Sequence, residues 1–234
     1  MEETKEIKIL RVEEGKTTEA VDVIVVEKAV EFYLDGVFLS STVCLDRELE
    51  ALALGQLISQ GRLRGSMETP EISIKGGRID LCSKGIGREG ENQPPSKGTI
   101  TLTPKQISLW GEVVYQGSPL FQQTGMIHSC GLFSSTELLE FSEDLGRHNA
   151  VDKVLGKAWM KGRALSACAL FTSGRMPLDM VNKAICAGIP IMISRSAPTA
   201  EAVEAAQAAG VTLVGFVRKG RMNLYTHAHR ITGR

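Results

Sequence analysis

Three apolar runs in the second half of the chain, separated by two helix-like segments, most strongly constrain the fold. The runs are "LSACALF" (Leu165–Phe171), "IPIMIS" (Ile189–Ser194) and "VTLVGFV" (Val211–Val217). Nearly continuous apolar runs of this length are typical of strands buried on both faces, which usually lie parallel with helices between them. The pattern therefore predicts an α/β fold with a largely parallel sheet covered by helices.

The helices between these runs carry their own start and stop signals. The first has Pro177 near its first turn and Gly188 after its end. The second has Ser196 as the expected N-cap, Pro198 at its start and Gly210 at its end. A helix is also expected from Thr103-Pro104 to about Tyr115. Another is indicated by apolar residues at helical spacing, namely Val151, Val154, Leu155, Ala158 and Trp159.

The first half of the chain is predicted to be β-rich, with one helix. Apolar stretches flank Asp35-Gly36 and Gly76-Gly77, as in β-hairpins with short turns. The helix between the hairpins should have Asp46 as its N-cap and Gly61 at its end. The stretch Ser83–Thr99 is rich in glycine and almost free of apolar residues, which predicts a loop or linker. The predicted division is therefore 1–82, 83–99 and 100–234.

Composition excludes several classes of protein. Lys+Arg and Asp+Glu both total 27, so the strong basic excess of a typical nucleic-acid-binding protein is missing. No stretch has the apolar length of a membrane span, and the charged N-terminus does not resemble a signal peptide. Five scattered cysteines favour free thiols in a reducing cytoplasm over a disulfide framework.

Polar residues cluster where three predicted helices begin. The stretches are "EDLGRHNAVDKVLG" (Glu143–Gly156), "FTSGRMP" and "ISRSAPT". Helix N-termini at the carboxyl edge of a parallel sheet favour anions, and arginine matches phosphate, so a ligand with phosphates is predicted. Capping alone is the alternative interpretation at each junction. The predicted contacts are Arg147, His148, Ser173, Gly174, Arg175, Ser194, Ser196 and Thr199.

Within the first of these stretches, two pairs of polar residues share a helical face. His148 and Asp152 are four residues apart, as are Asn149 and Lys153. His148 is suited to proton transfer near neutral pH. The structural alternative, in which His148 caps the helix or pairs with Asp152, is favoured by the residues alone.

A second dense patch, "TGMIHSCGLF", places His128 two residues before Cys130. A cysteine near a histidine can be a thiolate nucleophile, but a cysteine among apolar residues is more often a small buried side chain. No metal site is predicted, because there is no C-x-x-C spacing and His227 and His229 resemble a solvated tail.

Four successive motifs of the chain resemble those of the FdhD family of formate dehydrogenase accessory proteins. They are "EDLGRHNAVDKVLG", "TSGRMPLDMVNKA", "GIPIMISRSAPTAEAV" and "GVTLVGFVRKGRMNLYTHAHRI". The resemblance implies a cytidine-deaminase-like α/β core with a mixed sheet. It also implies a sulfur carrier that takes sulfur from a cysteine desulfurase as a persulfide. The sulfur passes to the molybdenum of bis(molybdopterin guanine dinucleotide) before this cofactor enters formate dehydrogenase.

The resemblance also implies which residues contact the cofactor, and it leaves a homodimer possible. The family's cofactor-contacting stretch matches Phe216, Val217, Arg218, Lys219, Gly220 and Arg221. The polar turn is then predicted to help build the pocket, through His128, Arg147, His148, Asn149, Asp152 and Lys153.

The chain departs from the family in its cysteines. The family's Cys-Gly-x-Cys-Gly loop should fall in Ser83–Thr99, which contains no cysteine. The alternatives are Cys82 as the carrier, Cys130 as the carrier, or a cofactor chaperone that carries no sulfur. A zinc deaminase is the remote alternative, because its glutamate and paired thiols are missing around His128 and Pro177.

Overall fold

The structure, a computed structural model, describes residues 3–63, 68–82 and 100–233, which form twelve strands and six α-helices. The strands are β1 Thr4–Glu13, β2 Lys16–Val25, β3 Lys28–Leu34, β4 Val37–Cys44, β5 Glu71–Lys75, β6 Arg78–Cys82, β7 His128–Phe133, β8 Leu138–Asp144, β9 Ala169–Thr172, β10 Ile191–Ser194, β11 Thr212–Arg218 and β12 Arg221–Leu224. The α-helices are α1 Leu49–Ser59, α2 Pro104–Gln116, α3 Pro119–Thr124, α4 Arg147–Met160, α5 Leu178–Cys186 and α6 Ala200–Ala209. The predicted linker 83–99 lies outside the described residues.

The N-terminal part forms a two-stranded ribbon, β1–β2, and a four-stranded sheet in the order β4-β3-β6-β5. Both predicted hairpins of that sheet are confirmed. Asp35 and Gly36 adopt φ of 51° and 80°, and Gly76 adopts 60°. Two successive positive φ values produce a type I′ turn, whose twist matches that of the strands it joins. Local turn chemistry therefore sets the register of β3 against β4.

Helix α1 ends as predicted but does not begin as predicted. Asp46 is not its N-cap, because its carboxylate forms an ion pair with Lys28. The cap position belongs to Glu48, whose φ is 54° and whose side chain caps no backbone group. At the other end, Gly61 adopts a φ of 68°, and the Arg62 N–H donates to the Leu57 carbonyl at 2.8 Å. This is the left-handed helix ending that glycine favours.

The C-terminal part is built on a six-stranded sheet in the order β12-β11-β10-β9-β7-β8. The three predicted strands are confirmed as the parallel trio β9-β10-β11, joined through α5 and α6. The description "largely parallel" is wrong for the whole sheet. The β7–β8 hairpin and the return strand β12 make three of the five pairings antiparallel. Strand β9 also starts later than predicted, because Leu165–Ala167 forms a 3-10 turn.

Helix α6 begins at a different cap from the predicted one. Thr199, not Ser196, occupies the cap position, and its hydroxyl accepts the Ala202 N–H at 3.3 Å. Pro198 precedes the cap and fixes the extended backbone that leads into the helix. Gly210 ends the helix with a φ of 74°, as predicted.

The two parts of the chain share one hydrophobic core. Leu52 of α1, Leu81 of β6, Val154 of α4 and Met192 of β10 all belong to it. A second core, which includes Trp110 of α2 and further residues of the large sheet, forms a separate cluster. Among the described residues, no helix is both long and apolar enough to cross a membrane.

Glycines allow α1 and α4 to touch through their backbones. A Cβ at Gly55 would lie 1.8 Å from the Asp152 carbonyl oxygen, and one at Gly156 would lie 1.9 Å from that of Ala51. Any side chain at either position would force the helices apart. This contact fixes the start of α4 against the N-terminal part.

Candidate functional site

The predicted polar residues meet at one edge of the large sheet, which we call the polar edge. It consists of the carboxyl ends of β9, β10 and β11, the first residue of β7 and the first turn of α4. Strand β7 is antiparallel to β9, with Cys130 opposite Thr172, so His128 lies just beyond the end of β9. His128 also pairs with Asp144, three residues before α4 begins. The topology therefore brings five separate stretches of the sequence together.

His128 and Ser173 form the centre of the polar edge. The His128 Nδ1 and Ser173 Oγ atoms lie 3.2 Å apart, and Ser173 Oγ accepts the Ser129 N–H at 3.0 Å. Burial lowers the pKa of His128 below 6.5, and the nearby Arg147, His148 and Arg175 lower it further. A neutral histidine among cationic groups is poised to gain a proton when an anion binds.

Arg147 lies against the loop that follows β9. An added Cβ at Gly174 would be 2.8 Å from the Arg147 Cβ, so glycine is required for this approach. The Arg147 Nε is buried and has no hydrogen-bond partner among the described residues. The N-cap of α4 is Gly146, which offers no side chain to cap the first N–H groups. An orphaned guanidinium donor and an uncapped helix start both fit an anion such as phosphate.

His148 also reaches the polar edge, but with a different partner from the predicted one. Its Nε2 lies 2.8 Å from Asp179 Oδ2, in the first turn of α5. The predicted pairing of His148 with Asp152 is therefore wrong. Burial lowers the pKa of His148, although Asp179 opposes this effect. The sequence stretch "PLDMVNKA" contained Asp179, but nothing in it indicated which helix it would face.

Asn149, Asp152 and Lys153, also predicted to contact the cofactor, point into the protein. Asn149 donates to Asp144 at 2.9 Å, and Lys153 forms a fully buried ion pair with the same carboxylate at 2.6 Å. Asp152 accepts from Lys183 at 2.8 Å and from the Ser59 hydroxyl. Their polar atoms are engaged by the protein itself. They support the start of α4 from beneath, because a helix turn places these residues on its inner face.

The residues after β10 tie neighbouring loops together. Ser194 Oγ donates to the Gly174 carbonyl at 2.6 Å and accepts the Ser196 N–H at 2.8 Å. Thr199 is occupied as the cap of α6. Ser196 keeps a half-buried side chain at the polar edge. The predicted contacts on this stretch were Ser194, Ser196 and Thr199. Among the described residues, the Ser196 hydroxyl is the one of the three that neither caps a helix nor bridges two loops.

The stretch Phe216–Arg221 lies beside this loop, at the turn between β11 and β12. The register of the two strands shifts between Gly215 and Arg218, and Phe216 adopts a φ of 53°. The Phe216 N–H donates to the Ser196 carbonyl at 3.0 Å, and its side chain is 37% exposed. Positive φ is costly for a bulky residue. The bulge thus holds an aromatic side chain in a strained, solvent-accessible position.

Two cavities with cationic linings flank this turn. A cavity of about 150 Å³ is lined by Tyr115, Arg195 and Lys219, and one of about 590 Å³ by Lys105 and Arg221. The Arg195 guanidinium lies 4.3 Å from the centre of the Tyr115 ring, and the Arg218 guanidinium donates to the Arg195 carbonyl. Val217 also lines the first cavity, and Gly220 also lines the second. Lys105 and Tyr115 were missed because the sequence does not show that α2 covers this edge.

The two candidate cysteines have opposite environments. Cys130 is completely buried, and burial together with the Asp152 charge raises the pKa of its thiol. Of the two alternatives for Cys130, the structure supports the small buried side chain over the nucleophile, since the thiol is neither reachable nor ionised near neutral pH. Burial also raises the pKa of Cys44 and of Cys168 to about 11 each. Cys82 is exposed at the end of β6.

Cys82 lies away from the polar edge. Its neighbour Leu81 pairs with Leu34, at one end of β3, and the other end of β3 carries Val30 opposite Thr42. Thr42 donates to Asn149 at 3.2 Å and so marks the end near α4. Val30 and Leu34 are four residues apart, and each residue of a strand rises about 3.3 Å. The two positions are therefore separated by roughly 13 Å along β3.

Comparisons with known proteins agree with this architecture. A family model described as the FdhD/NarQ family matches residues 82–232. The sulfur carrier protein FdhD of Wolinella succinogenes is 33% identical, over 90% of this chain and 82% of its own length. That of Bacillus subtilis is 30% identical over 95% of each chain.

A solved structure is also similar over nearly its full length. The crystal structure described as a formate dehydrogenase accessory protein from Desulfotalea psychrophila has a TM-score of 0.87 and 33% identity. The match covers 97% of this chain and 99% of that one. Fold, relatives and family model therefore coincide, and the chain belongs to the FdhD/NarQ family.

Proposed function

We propose that this protein binds the guanine dinucleotide form of the molybdenum cofactor as cargo at the polar edge and delivers sulfur to it for formate dehydrogenase. The names of its relatives, sulfur carrier and formate dehydrogenase accessory protein, support the class of function. We also propose that its α/β core is of the cytidine deaminase type. The observation that carries this proposal is that arginine side chains and helix N-termini lie at the polar edge of the large sheet.

The polar edge suits a ligand with several phosphates. Arg147 and Arg175 lie near His128, and Arg195 follows β10 with its guanidinium over the Tyr115 ring, at the adjacent cavity. Guanidinium groups form paired hydrogen bonds with phosphate oxygens. The helix starts add N–H donors and the positive end of the dipole. Phosphates of the dinucleotide would lie here, with His128 taking up a proton as negative charge arrives.

The strained Phe216 gives the same surface an aromatic contact. Its side chain is 37% exposed, its N–H donates to the Ser196 carbonyl, and the residues that follow it line the two cavities. Aromatic rings stack on nucleobases with useful affinity. We propose that Phe216 contacts the guanine, while Lys219 and Arg221 accompany the phosphates.

Cys82 is the proposed carrier of sulfur. It is the one described cysteine that is exposed. Its thiolate would attack the terminal sulfur of a cysteine desulfurase persulfide. A persulfide then forms on Cys82, and the desulfurase cysteine leaves as a thiolate. The proposed partners are therefore a cysteine desulfurase as donor, formate dehydrogenase as client, and a second copy of this chain in a homodimer.

A second candidate is a chaperone that holds the cofactor without carrying sulfur. It is favoured by the missing cysteine pair and by the distance of Cys82 from the polar edge. In this case the polar edge keeps its function and Cys82 is dispensable. Sulfur loading of Cys82 separates the two candidates.

Nucleotide binding tests the proposed cofactor site directly. Isothermal titration with GDP should show binding, and Arg175→Ala should weaken it by about 1.5–3 kcal/mol, roughly 10- to 150-fold, because a charge-assisted hydrogen bond is lost. Arg175 is exposed, so the variant should fold normally. Lys75→Ala, an exposed cation at the end of β5, is the matched control and should bind like the native protein. Equal loss in both variants would contradict a site at the polar edge.

A further inference from the structure

One face of helix α2 lines the smaller of the two cavities beside the β11–β12 turn, which we call the α2 cavity. From this face come Ser108, Glu112, Tyr115 and Gln116, at the three- and four-residue spacing of a helix. Arg195 and residues 217–219 complete the polar lining. The cavity holds about 150 Å³, less than the roughly 300 Å³ at which pockets for whole small molecules begin. It therefore suits one group of a larger ligand.

Tyr115 and Arg195 give the α2 cavity a flat wall. The Arg195 guanidinium lies 4.3 Å from the centre of the Tyr115 ring. The Arg218 guanidinium donates to the Arg195 carbonyl and so ties this residue to the β11–β12 turn. Both members of the wall stay accessible, since Tyr115 is 46% exposed and Arg195 is half-buried. Aromatic rings and planar guanidinium groups both stack on nucleobases, so the wall offers a surface for a base.

Glu112 is the one carboxylate in the lining of either cavity, among the residues that the structure describes. Three cations line the same cavity, yet within residues 3–63, 68–82 and 100–233 its carboxylate forms no ion pair or hydrogen bond. It lies three residues before Tyr115, on the same helical face. A carboxylate accepts hydrogen bonds and donates none, so Glu112 is available to a ligand that presents donors beside the wall.

Guanine presents the donors that a carboxylate requires. Its Watson–Crick edge places the N1–H and the N2 amino group side by side, and these can donate to the two oxygens of one carboxylate. Adenine instead places the N1 acceptor beside its amino group, so one carboxylate oxygen would face a lone pair. Paired hydrogen bonds to a charged group are both strong and directional. A carboxylate at the edge of a stacking wall therefore favours guanine over adenine.

We propose that Glu112 selects guanine, by accepting hydrogen bonds from its N1–H and N2 amino group while the base stacks on the wall of Tyr115 and Arg195. This inference rests on the proposed function, which places a guanine dinucleotide at the adjacent polar edge. Phe216 immediately precedes residues 217–219, so the ring proposed to contact the guanine and the α2 cavity border the same bulge of β11. Glu112 is thus a specificity-determining residue for the cargo.

Ratios of affinity between nucleoside diphosphates test this role. The negative charge of Glu112 opposes the phosphates, so its removal should strengthen binding of every diphosphate, and only the ratio between bases reports recognition. In isothermal titration, the native chain should bind GDP about tenfold more tightly than inosine diphosphate, which lacks the N2 amino group. ADP should bind more weakly than GDP by at least the same factor. In Glu112→Gln, the preference for GDP over inosine diphosphate should disappear.

Xanthosine diphosphate provides a gain of binding in the same variant. Xanthine carries a carbonyl where guanine carries the N2 amino group, so it repels a carboxylate oxygen but pairs with an amide. The preference for xanthosine diphosphate over GDP should therefore rise about tenfold or more in Glu112→Gln. Glu204→Gln is the matched control, because it removes the same charge from an exposed position of α6 that lines neither cavity. It should keep the ratios of the native chain.

The outcomes separate this inference from the proposed function. A native chain that binds GDP but does not distinguish it from inosine diphosphate and ADP would overturn the role of Glu112 and leave the proposed cofactor site intact. The same conclusion would follow from a Glu112→Gln protein that keeps the native ratios while circular dichroism shows it folded. A native chain that binds none of these diphosphates would overturn the cofactor site itself, and this inference with it.

Discussion

Replacing Lys153 with methionine should cost the protein much of its stability. Its Nζ lies 2.6 Å from Asp144 Oδ2, and both side chains are fully buried. In the variant, Asp144 keeps three donors, the N–H groups of Leu45 and Gly146 at 3.1 Å each and the Asn149 amide at 2.9 Å. These dipoles do not replace the lost positive charge. Removing one partner of a buried ion pair typically costs about 3–5 kcal/mol.

The effect should be large in an ordinary melting experiment. For a chain of this size, 1 kcal/mol shifts the melting temperature by about 2–4 °C, so a decrease of roughly 6–20 °C is expected. Urea unfolding gives the same quantity independently. The double variant Asp144→Asn/Lys153→Met should regain a substantial part of the loss, because it no longer buries an unpaired charge.

GDP titration of the same variants tells a structural role from a ligand contact. Because Lys153 faces the interior, the folded Lys153→Met protein should bind GDP within about threefold of the native affinity, a difference below roughly 1 kcal/mol. A change in unfolding free energy below about 1 kcal/mol, together with lost GDP binding, would refute the reasoning. It would show that Lys153 reaches the ligand, as the sequence alone suggested.

Two further predictions concern helix packing and pH. Gly156→Ala should lower the free energy of unfolding by about 1–3 kcal/mol in urea titrations, because its Cβ would lie 1.9 Å from the Ala51 carbonyl oxygen; unchanged stability would contradict the close helix contact. The pKa values of His128 and His148 are held below 6.5 in the folded protein. The unfolded chain therefore binds more protons, so stability should be full above pH 6.5 and fall as the pH drops below it. His128→Gln should flatten that dependence, and a urea midpoint that rises on acidification would contradict it.

Local chemistry explains the parts of the fold that the sequence predicted well. The turns at Asp35-Gly36 and Gly76-Gly77 depend on a few adjacent residues, and the glycine ending α1 acts within its own helix. The strands β9, β10 and β11 are apolar because both of their faces are covered, a property visible in each run alone. Such features need no knowledge of distant residues.

Partners that are distant in the sequence explain the predictions that differ from the structure. The Asp46 carboxylate could accept backbone N–H groups as a helix cap, but it forms an ion pair with Lys28 of β3 instead. His148 could pair with Asp152 one turn away, but its ring contacts Asp179 of α5, and Asp152 pairs with Lys183 instead. The burial of Cys130 follows from its place in the middle of the sheet, where neighbouring strands cover it. None of these choices can be read from spacing along one helix or strand.

The sequence indicated where the candidate site lies better than it indicated which side chains face that site. Three helix starts were expected to converge, and the sheet order brings the stretches that precede them to one edge, although the Arg195 guanidinium lies over Tyr115 of α2. The inward-facing members of the same turn were not distinguished, because charged residues that support a helix and those that bind a ligand have the same composition. Burial separates them, as with Lys153 and Arg175.

Persulfide mapping on Cys82 tests the sulfur carrier function most directly. The protein would be incubated with a cysteine desulfurase and cysteine, digested, and analysed by peptide mass spectrometry, with Cys82→Ala and Cys130→Ala variants alongside. The account predicts a sulfur adduct on Cys82 that is absent from Cys82→Ala and unchanged in Cys130→Ala, because Cys130 is buried. No adduct on any cysteine, with GDP still bound at the polar edge, would contradict sulfur transfer and support a cofactor chaperone.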